Sequence, residues 1–149
     1  MDSTDIFVGG EDGGVRSVSV SPVVLLNVLD HHIRRERGSR RVIGTLLGRF
    51  TSDGRVEVKA SFPLPHSEEN NDQDDKVAVD TDYHKNMYEL HRRVNPGEEQ
   101  VGWYATGTET DRKSVIIHEF YGRECAAPVH LLLDADLSHD RFDVNAFVS

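Results

Sequence analysis

Apolar residues change their spacing several times along this chain, and that change constrains its fold more than any other feature of the sequence. Within residues 21–38, Leu25, Leu29 and Ile33 recur at four-residue intervals, which predicts an amphipathic helix that ends near Gly38. Residues 55–60 instead alternate between charged and apolar side chains, which is typical of a half-buried strand. The chain therefore combines helices with strands.

The remaining segments follow the same two patterns. The apolar run 42–47 predicts a buried strand, and the turn at 52–54 makes it antiparallel to the strand at 55–60. A second helix should begin at Asp80 or Thr81 and end before Asn95. Further strands are predicted at 101–104, at 129–133 and over 142–148, with a third helix capped by Ser114. This order predicts an α+β or α/β sandwich with helices packed on a central sheet.

The length of 149 residues is that of one domain. We interpret residues 1–14 as a flexible tail rich in glycine and acid, and residues 15–149 as the domain. His66–Asp75 carries five acids and no apolar residue, which predicts a mobile acidic loop. An alternating run that stops at Ser149, with nothing to cover it, suggests a fragment truncated at its C-terminal end.

Composition excludes several classes of protein. The longest apolar run is four residues, Val23 to Leu26, far short of the roughly 20 needed to cross a bilayer. The first residues are acidic and lack an apolar stretch, so we expect no secretory signal. A single cysteine, Cys125, favours a reducing compartment, so we expect a cytoplasmic protein. A net charge of −9 argues against a surface that binds polyanions over its whole extent.

The eight histidines do not form a metal-binding pattern. His31 and His32 are adjacent, which on a helix places them about 100° apart. His84 and His91 share a helix face but lie two turns apart, so we expect partly exposed polar positions.

Catalytic side chains are equally scarce. His118 beside Glu119 is typical of a hydrogen-bonded surface pair, and Cys125 follows Glu124, whose charge raises a thiol pKa. No glycine-rich phosphate loop ending in lysine is present.

One basic cluster comprises Arg34, Arg35, Arg37, Arg40 and Arg41. Two interpretations stay open. The cations could stabilise the C-terminal end of the first helix by offsetting its dipole, or they could contact RNA or an acidic protein. For the second interpretation, Arg34 and Arg37 are the pair expected to point outward.

Several segments together resemble the MPN (JAMM-type) domain family. They are Arg41–Gly48, Val77–Asp80, Lys85–His91, Gly102–Gly107, Ile117–Tyr121 and Pro128–Leu131. The resemblance covers about Val15 to Ser149, and it implies an α+β fold with a central mixed sheet flanked by helices.

The resemblance also implies that the family's enzymatic chemistry is missing. Catalytic members hold zinc with two histidines and an aspartate, and a glutamate serves as general base for isopeptide hydrolysis. Carried over to this chain, the glutamate position is Arg41, and the two histidine positions are Ala105 and Gly107. The aspartate position falls at or near Ile117 or His118. We therefore expect no catalytic, cofactor-binding or metal-binding residues.

Within the family, these segments are most similar to the MPN subunits of translation initiation factor 3. That similarity implies a non-catalytic scaffold in translation initiation. It would pair with a second MPN subunit and reach the small ribosomal subunit through the complex. Two alternatives stay open: a silent MPN subunit of the proteasome lid or signalosome, and a zinc isopeptidase that uses His118, Glu119 and Asp111 instead.

Overall fold

The computed structural model describes residues 4–7, 17–36, 40–70, 75–107, 112–125, 127–136 and 141–148. Their helices and strands follow in the order β1 (Thr4–Phe7), β2 (Ser17–Val20), α1 (Pro22–Ile33), β3 (Ile43–Phe50), β4 (Arg55–Pro63), β5 (His66–Asn70), β6 (Asp75–Val79), α2 (Thr81–Val94), β7 (Glu99–Thr106), α3 (Arg112–Glu124), β8 (Val129–Asp136) and β9 (Arg141–Val148). The α+β class predicted from the sequence is confirmed.

Seven strands form one mixed sheet in the order β1-β2-β4-β3-β7-β8-β9. The pairs β2–β4 and β7–β8 are parallel, and the other neighbours are antiparallel. The predicted hairpin of β3 and β4 is confirmed. The interpretation of residues 1–14 as a flexible tail is wrong for Thr4–Phe7, because β1 pairs with β2 along its length; residues 1–3 and 8–14 lie outside the described part of the chain.

A second, two-stranded sheet corrects the predicted acidic loop. Within His66–Asp75, residues 66–70 form β5, which pairs antiparallel with β6 from His66 opposite Val79 to Asn70 opposite Asp75. Residues 71–74 are not described. Composition suggested a loop because β5 itself has no apolar side chain. The strand is held by its partner, since Val77 and Val79 of β6 pack against the core.

The two faces of the large sheet bury different cores. On one face, Val24 and Val28 of α1 pack onto the strands. Together with apolar side chains of the sheet they form a cluster whose buried members are each at most 6% exposed. The other face packs against α3 and the β5–β6 hairpin, with Trp103 and Tyr121 as its largest side chains. Alternation decides the face: Trp103 and Ala105 point to the α3 side, and Tyr104 points to the α1 side.

The helix ends match the predictions in part. Asp80 caps α2, because its carboxylate accepts a hydrogen bond of 3.0 Å from the backbone N–H of Tyr83. The first helix ends at Ile33 rather than near Gly38, which lies outside the described residues. Ser114 was predicted as a cap, but α3 begins at Arg112 and Ser114 is buried inside the helix. No helix in the described ranges is long and apolar enough to span a membrane.

Gly48 sits where β3 and β4 shift register, and a Cβ there would lie only 1.7 Å from the carbonyl oxygen of Glu57. Backbone cannot move aside as a flexible side chain can, so Gly48→Ala should destabilise the protein by about 2 kcal/mol. Chemical denaturation measures this loss. Gly122→Ala is the matched control, because nothing lies within 4 Å of its Cβ position, and equal stability of the two variants would contradict the prediction.

Candidate functional site

The positions to which the resemblance assigns zinc ligands lie at the end of β7 and in α3. Ala105 is fully buried and pairs with Ile43 of β3. Gly107 follows β7 with φ of 142°, and its N–H donates to the carbonyl of Leu133 over 2.8 Å. Ile117 is 1% exposed and belongs to the same apolar cluster as Ala105. Ala105, Gly107 and Ile117 offer a methyl group, backbone and an aliphatic chain, none of which is a side-chain ligand for a metal. At His118, the other candidate for the aspartate position, Nδ1 accepts a hydrogen bond of 3.0 Å from Trp103.

Arg41, to which the resemblance assigns the family's glutamate position, lies two residues before β3 and is only 5% exposed. Its Nε donates to both oxygens of the Glu68 carboxylate over 3.0 Å, and its Nη2 donates to one of them over 2.5 Å. Its Nη1 donates to the hydroxyl of Ser114 in α3 over 2.9 Å. One guanidinium therefore connects the start of β3 to the β5–β6 hairpin and to α3.

Glu68 is also bound by His66, whose Nε2 lies 2.9 Å from Oε2 of the carboxylate. Burial alone would raise the pKa of Glu68, but the hydrogen bonds from His66 and Arg41 lower that pKa to about 2. The carboxylate is therefore ionised at neutral pH. Glu68 is separated from Arg41 by 27 residues, so no local pattern in the sequence could have indicated this pair.

Trp103 lies at the centre of the α3-side core between two rings. It stacks on His130 at a centroid distance of 3.7 Å and on Tyr121 at 5.9 Å. Its Nε1–H donates to Nδ1 of His118 over 3.0 Å. The sequence suggested that His118 pairs with Glu119 on the surface, whereas its Nδ1 accepts a hydrogen bond from the core.

Both of these histidines favour the neutral state. Burial, the neighbouring His118 and Arg41 together lower the pKa of His130 to about 3, and burial also lowers the pKa of His118. Nε2 of each ring has no hydrogen-bond partner among the described residues. We therefore interpret them as parts of the aromatic core at neutral pH.

His31 and His32 connect the end of α1 to the sheet. Nδ1 of His31 lies 2.7 Å from the hydroxyl of Tyr104, and Nδ1 of His32 lies 2.9 Å from the hydroxyl of Thr106. Burial lowers the pKa of both rings. The two adjacent histidines therefore contact two different residues of β7, Tyr104 and Thr106.

His84 corrects the expectation of a partly exposed position. It is 3% exposed, and its ring contacts Phe62 and Phe120 at centroid distances of 5.6 and 5.4 Å. Burial lowers its pKa. His91, two turns further along α2, is half-buried, and its Nε2 lies 2.5 Å from the Glu98 carboxylate. The sequence missed the burial of His84 because imidazole is polar, although its position faces the core.

The arginine cluster divides between core and surface. Arg41 is buried, whereas the side chain of Arg34 is 78% exposed and forms an ion pair of 3.1 Å with Asp30. Arg35 donates to the backbone carbonyl of His32, as expected for a cation at a helix C-terminus. The predicted outward partner of Arg34, Arg37, lies outside the described residues.

The described residues contain no group of three or more histidine, cysteine, aspartate or glutamate side chains that could hold a metal ion. Asp111, one ligand of the alternative zinc site, is not described. Cys125 does not favour a nucleophilic role either. Burial raises the pKa of its thiol to about 11, with further contributions from Glu99 and Glu124.

Two comparisons relate the chain to known proteins. The family model of the JAB1/Mov34/MPN/PAD-1 ubiquitin proteases matches residues 13–126. The F subunit of eukaryotic translation initiation factor 3 in Arabidopsis thaliana is 43% identical over 135 residues, which are 91% of this chain and 45% of that protein.

Insect relatives are slightly more similar. The F-1 subunit of the same factor in Drosophila ananassae is 47% identical over 132 residues, which are 89% of this chain and 45% of that protein. The F subunit in Bombyx mori is 48% identical over 133 residues, which are 89% of this chain and 44% of that protein. The chain thus spans less than half the length of the relatives that it matches.

Proposed function

The chain belongs to the JAB1/Mov34/MPN/PAD-1 family, and we propose that it acts as a non-catalytic MPN subunit of translation initiation factor 3. The non-catalytic part rests on the residues to which the resemblance assigns the family's base and histidine positions, which are Arg41, Ala105 and Gly107. The names of the relatives support the assembly and favour it over the proteasome lid or the signalosome. The family match at residues 13–126 supports a single MPN-type domain that begins near Val15.

The chemistry of hydrolysis explains why these replacements matter. A catalytic zinc ion needs about three protein ligands and one open position for water, and a carboxylate must take the proton from that water. Ala105 and Gly107 supply no ligand atoms. Arg41 repels a cation and cannot act as a base near neutral pH. Its guanidinium is also bound by Glu68 and Ser114.

Zinc content and isopeptidase activity test the non-catalytic role. We expect the purified chain to contain far less than one zinc per molecule and to leave lysine-linked di-ubiquitin intact over hours. The alternative site would use His118, Glu119 and Asp111, of which His118 already shares Nδ1 with Trp103. Stoichiometric zinc, together with cleavage that a chelator stops, would overturn the proposal and support that alternative.

We further propose that α1 presents the surface that binds a second MPN subunit. Val23, Leu26 and Ile33 lie on the solvent side of this helix and are 52%, 61% and 56% exposed. Apolar residues at such helical spacing form a stripe that solvent does not favour. A second MPN subunit of the initiation factor with a complementary helix would cover this stripe, and the heterodimer would reach the small ribosomal subunit within the cytoplasmic complex.

The variant Leu26→Glu should weaken binding to that second MPN subunit at least tenfold, because a charge would be placed at the centre of the stripe. Co-purification of the two proteins, followed by titration, measures the effect. Val115→Glu on α3 is the matched control, since Val115 is also 59% exposed and lies outside α1. Equal binding by the two variants would rule out α1 as the interface.

A further inference from the structure

The helix α2 is attached to the rest of the protein mainly near its start. Every residue of α2 is described, and His84 is the only one that is buried. Tyr83 packs partly against the α3-side core, whereas Leu90 and Val94 further along are 54% and 77% exposed. The buried attachment of this helix therefore depends on one imidazole ring.

His84 occupies a cage of three aromatic rings. Besides Phe62 and Phe120, the ring of Tyr121 contacts it at a centroid distance of 5.8 Å. Phe62 belongs to the end of β4 and the other two rings belong to α3, so His84 connects α2 to two different elements. Its Nε2 is buried and has no hydrogen-bond partner among the described residues. An imidazolium in this cage would lose its hydration without a full replacement.

The groups that face His84 leave it neutral at pH 7. The hydroxyl of Tyr121 lies 2.7 Å from that of Thr45, and burial raises its pKa, so this neighbour carries no charge. The Glu124 carboxylate of α3 and the Gln100 side chain of β7 favour the charged ring. Burial outweighs them both, and the pKa of His84 is lowered.

The charge on His84 is linked to the position of α2. Burial holds the pKa of the ring below 6.5, the ordinary value that applies once the helix detaches and the ring meets water. The contribution of His84 to attachment is therefore complete above pH 6.5 and is lost as the pH falls below that value. At pH 5.5 the equilibrium between attached and detached helix should shift towards the detached form by up to about tenfold.

We propose that α2 is a pH-sensitive element of the fold, attached to the core while His84 is neutral and detached when that ring is protonated. The apolar clusters on the two faces of the large sheet contain no fully buried residue of α2, all of which is described, so both cores can stay formed. Detachment would uncover Phe62 and Phe120, which form an apolar surface that α2 covers at neutral pH. This inference does not depend on the proposed assembly.

Hydrogen exchange of the whole chain, measured by mass spectrometry, tests this inference. Protection factors of peptides from α2 and β7 would be compared at pH 7.5 and pH 5.5, after correction for the pH dependence of intrinsic exchange. We expect protection of α2 to fall several-fold at pH 5.5, up to about tenfold. His84→Phe and His84→Leu cannot be protonated at this position, so each should remove the fall in α2 and leave the pH dependence of β7 unchanged.

His91→Leu is the matched control, because it removes a histidine of the same helix that pairs with Glu98 outside the aromatic cage. This variant should keep the fall in α2 protection. Unchanged α2 protection in the wild-type protein, or an equal fall in both His84 variants, would overturn the inference.

A second measurement needs no variant. The NMR signals of the His84 ring in the wild-type protein should titrate over the same pH range in which α2 loses protection. A ring that becomes protonated while α2 keeps its protection would also overturn the inference.

Discussion

Replacing Arg41 by methionine is expected to lower the free energy of unfolding by about 3 kcal/mol. The substitution keeps an aliphatic chain in a buried position but leaves the Glu68 carboxylate, whose side chain is only 12% exposed, with one partner fewer. It also removes the donor to Ser114. Urea denaturation at pH 7 measures the loss, and a decrease below about 1 kcal/mol would show that the pair does not stabilise the fold.

Two controls separate this effect from the loss of any arginine. Arg49 forms a similar ion pair with Glu57 at 3.1 Å, but its side chain is 57% exposed. Arg49→Met should therefore lower the free energy of unfolding by under about 1 kcal/mol. The double variant Arg41→Met/Glu68→Gln should recover part of the lost stability, because no buried charge is then unpaired.

The same ion pair gives a pH dependence with a definite sign. The ordinary pKa of a glutamate is 4.5, and His66 and Arg41 lower that of Glu68 to about 2 in the folded protein. Its contribution is therefore complete above pH 4.5 and is lost as the pH falls from 4.5 towards 2. In Arg41→Met, acid unfolding should be less steep over that range.

Acidification from pH 7 to pH 5 is expected to remove about 2 kcal/mol of stability through His130 alone. The unfolded ring takes up a proton near pH 6.5, whereas burial lowers the pKa of the folded ring to about 3. Because the pKa of His130 is lower in the folded protein than in the unfolded chain, its contribution to the free energy of unfolding is complete above pH 6.5. That contribution is lost as the pH falls towards 3. Denaturation at a series of pH values measures the slope.

His130→Phe should flatten this slope, because phenylalanine can stack on Trp103 but does not titrate. Phe147→Leu is the control, since it changes packing on the same ring without removing a titratable group, and it should keep most of the slope. A slope unchanged by His130→Phe would contradict the assignment to this ring. The other histidines with lowered pKa values would then carry the pH dependence.

The periodicity of apolar residues predicted those helices and strands in which the apolar pattern is long and regular. The four-residue spacing in α1, the alternation of β4 and the glycine-bounded run of β3 predict three elements that the structure confirms. The face of α1 differs from the prediction, because the helix buries Val24 and Val28, whereas Ile33 of the predicted stripe is 56% exposed. The short strands β1 and β2 escaped prediction, because four residues beside a glycine-rich segment carry too little pattern. The pairing of β2 depends on β4, which lies far along the chain.

The candidate site divides in the same way. The sequence alone was enough to assign Arg41, Ala105 and Gly107 to the family's catalytic positions, because that assignment depends only on the resemblance to the family's segments. What Arg41 does could not be read, because its partners Glu68 and Ser114 lie 27 and 73 residues away. The acidic segment that composition marks as a loop thus contains Glu68, whose carboxylate binds Arg41.

Identifying what co-purifies with the protein tests the central claim most directly. The protein would be tagged in its own cells at its native level, purified gently and analysed by mass spectrometry, with Leu26→Glu as a parallel sample. We expect initiation factor 3 subunits, including a second MPN subunit, with small-subunit ribosomal proteins, and their loss from the variant. Recovery of proteasome-lid or signalosome subunits instead, or of a zinc-loaded protein without partners, would contradict the claim.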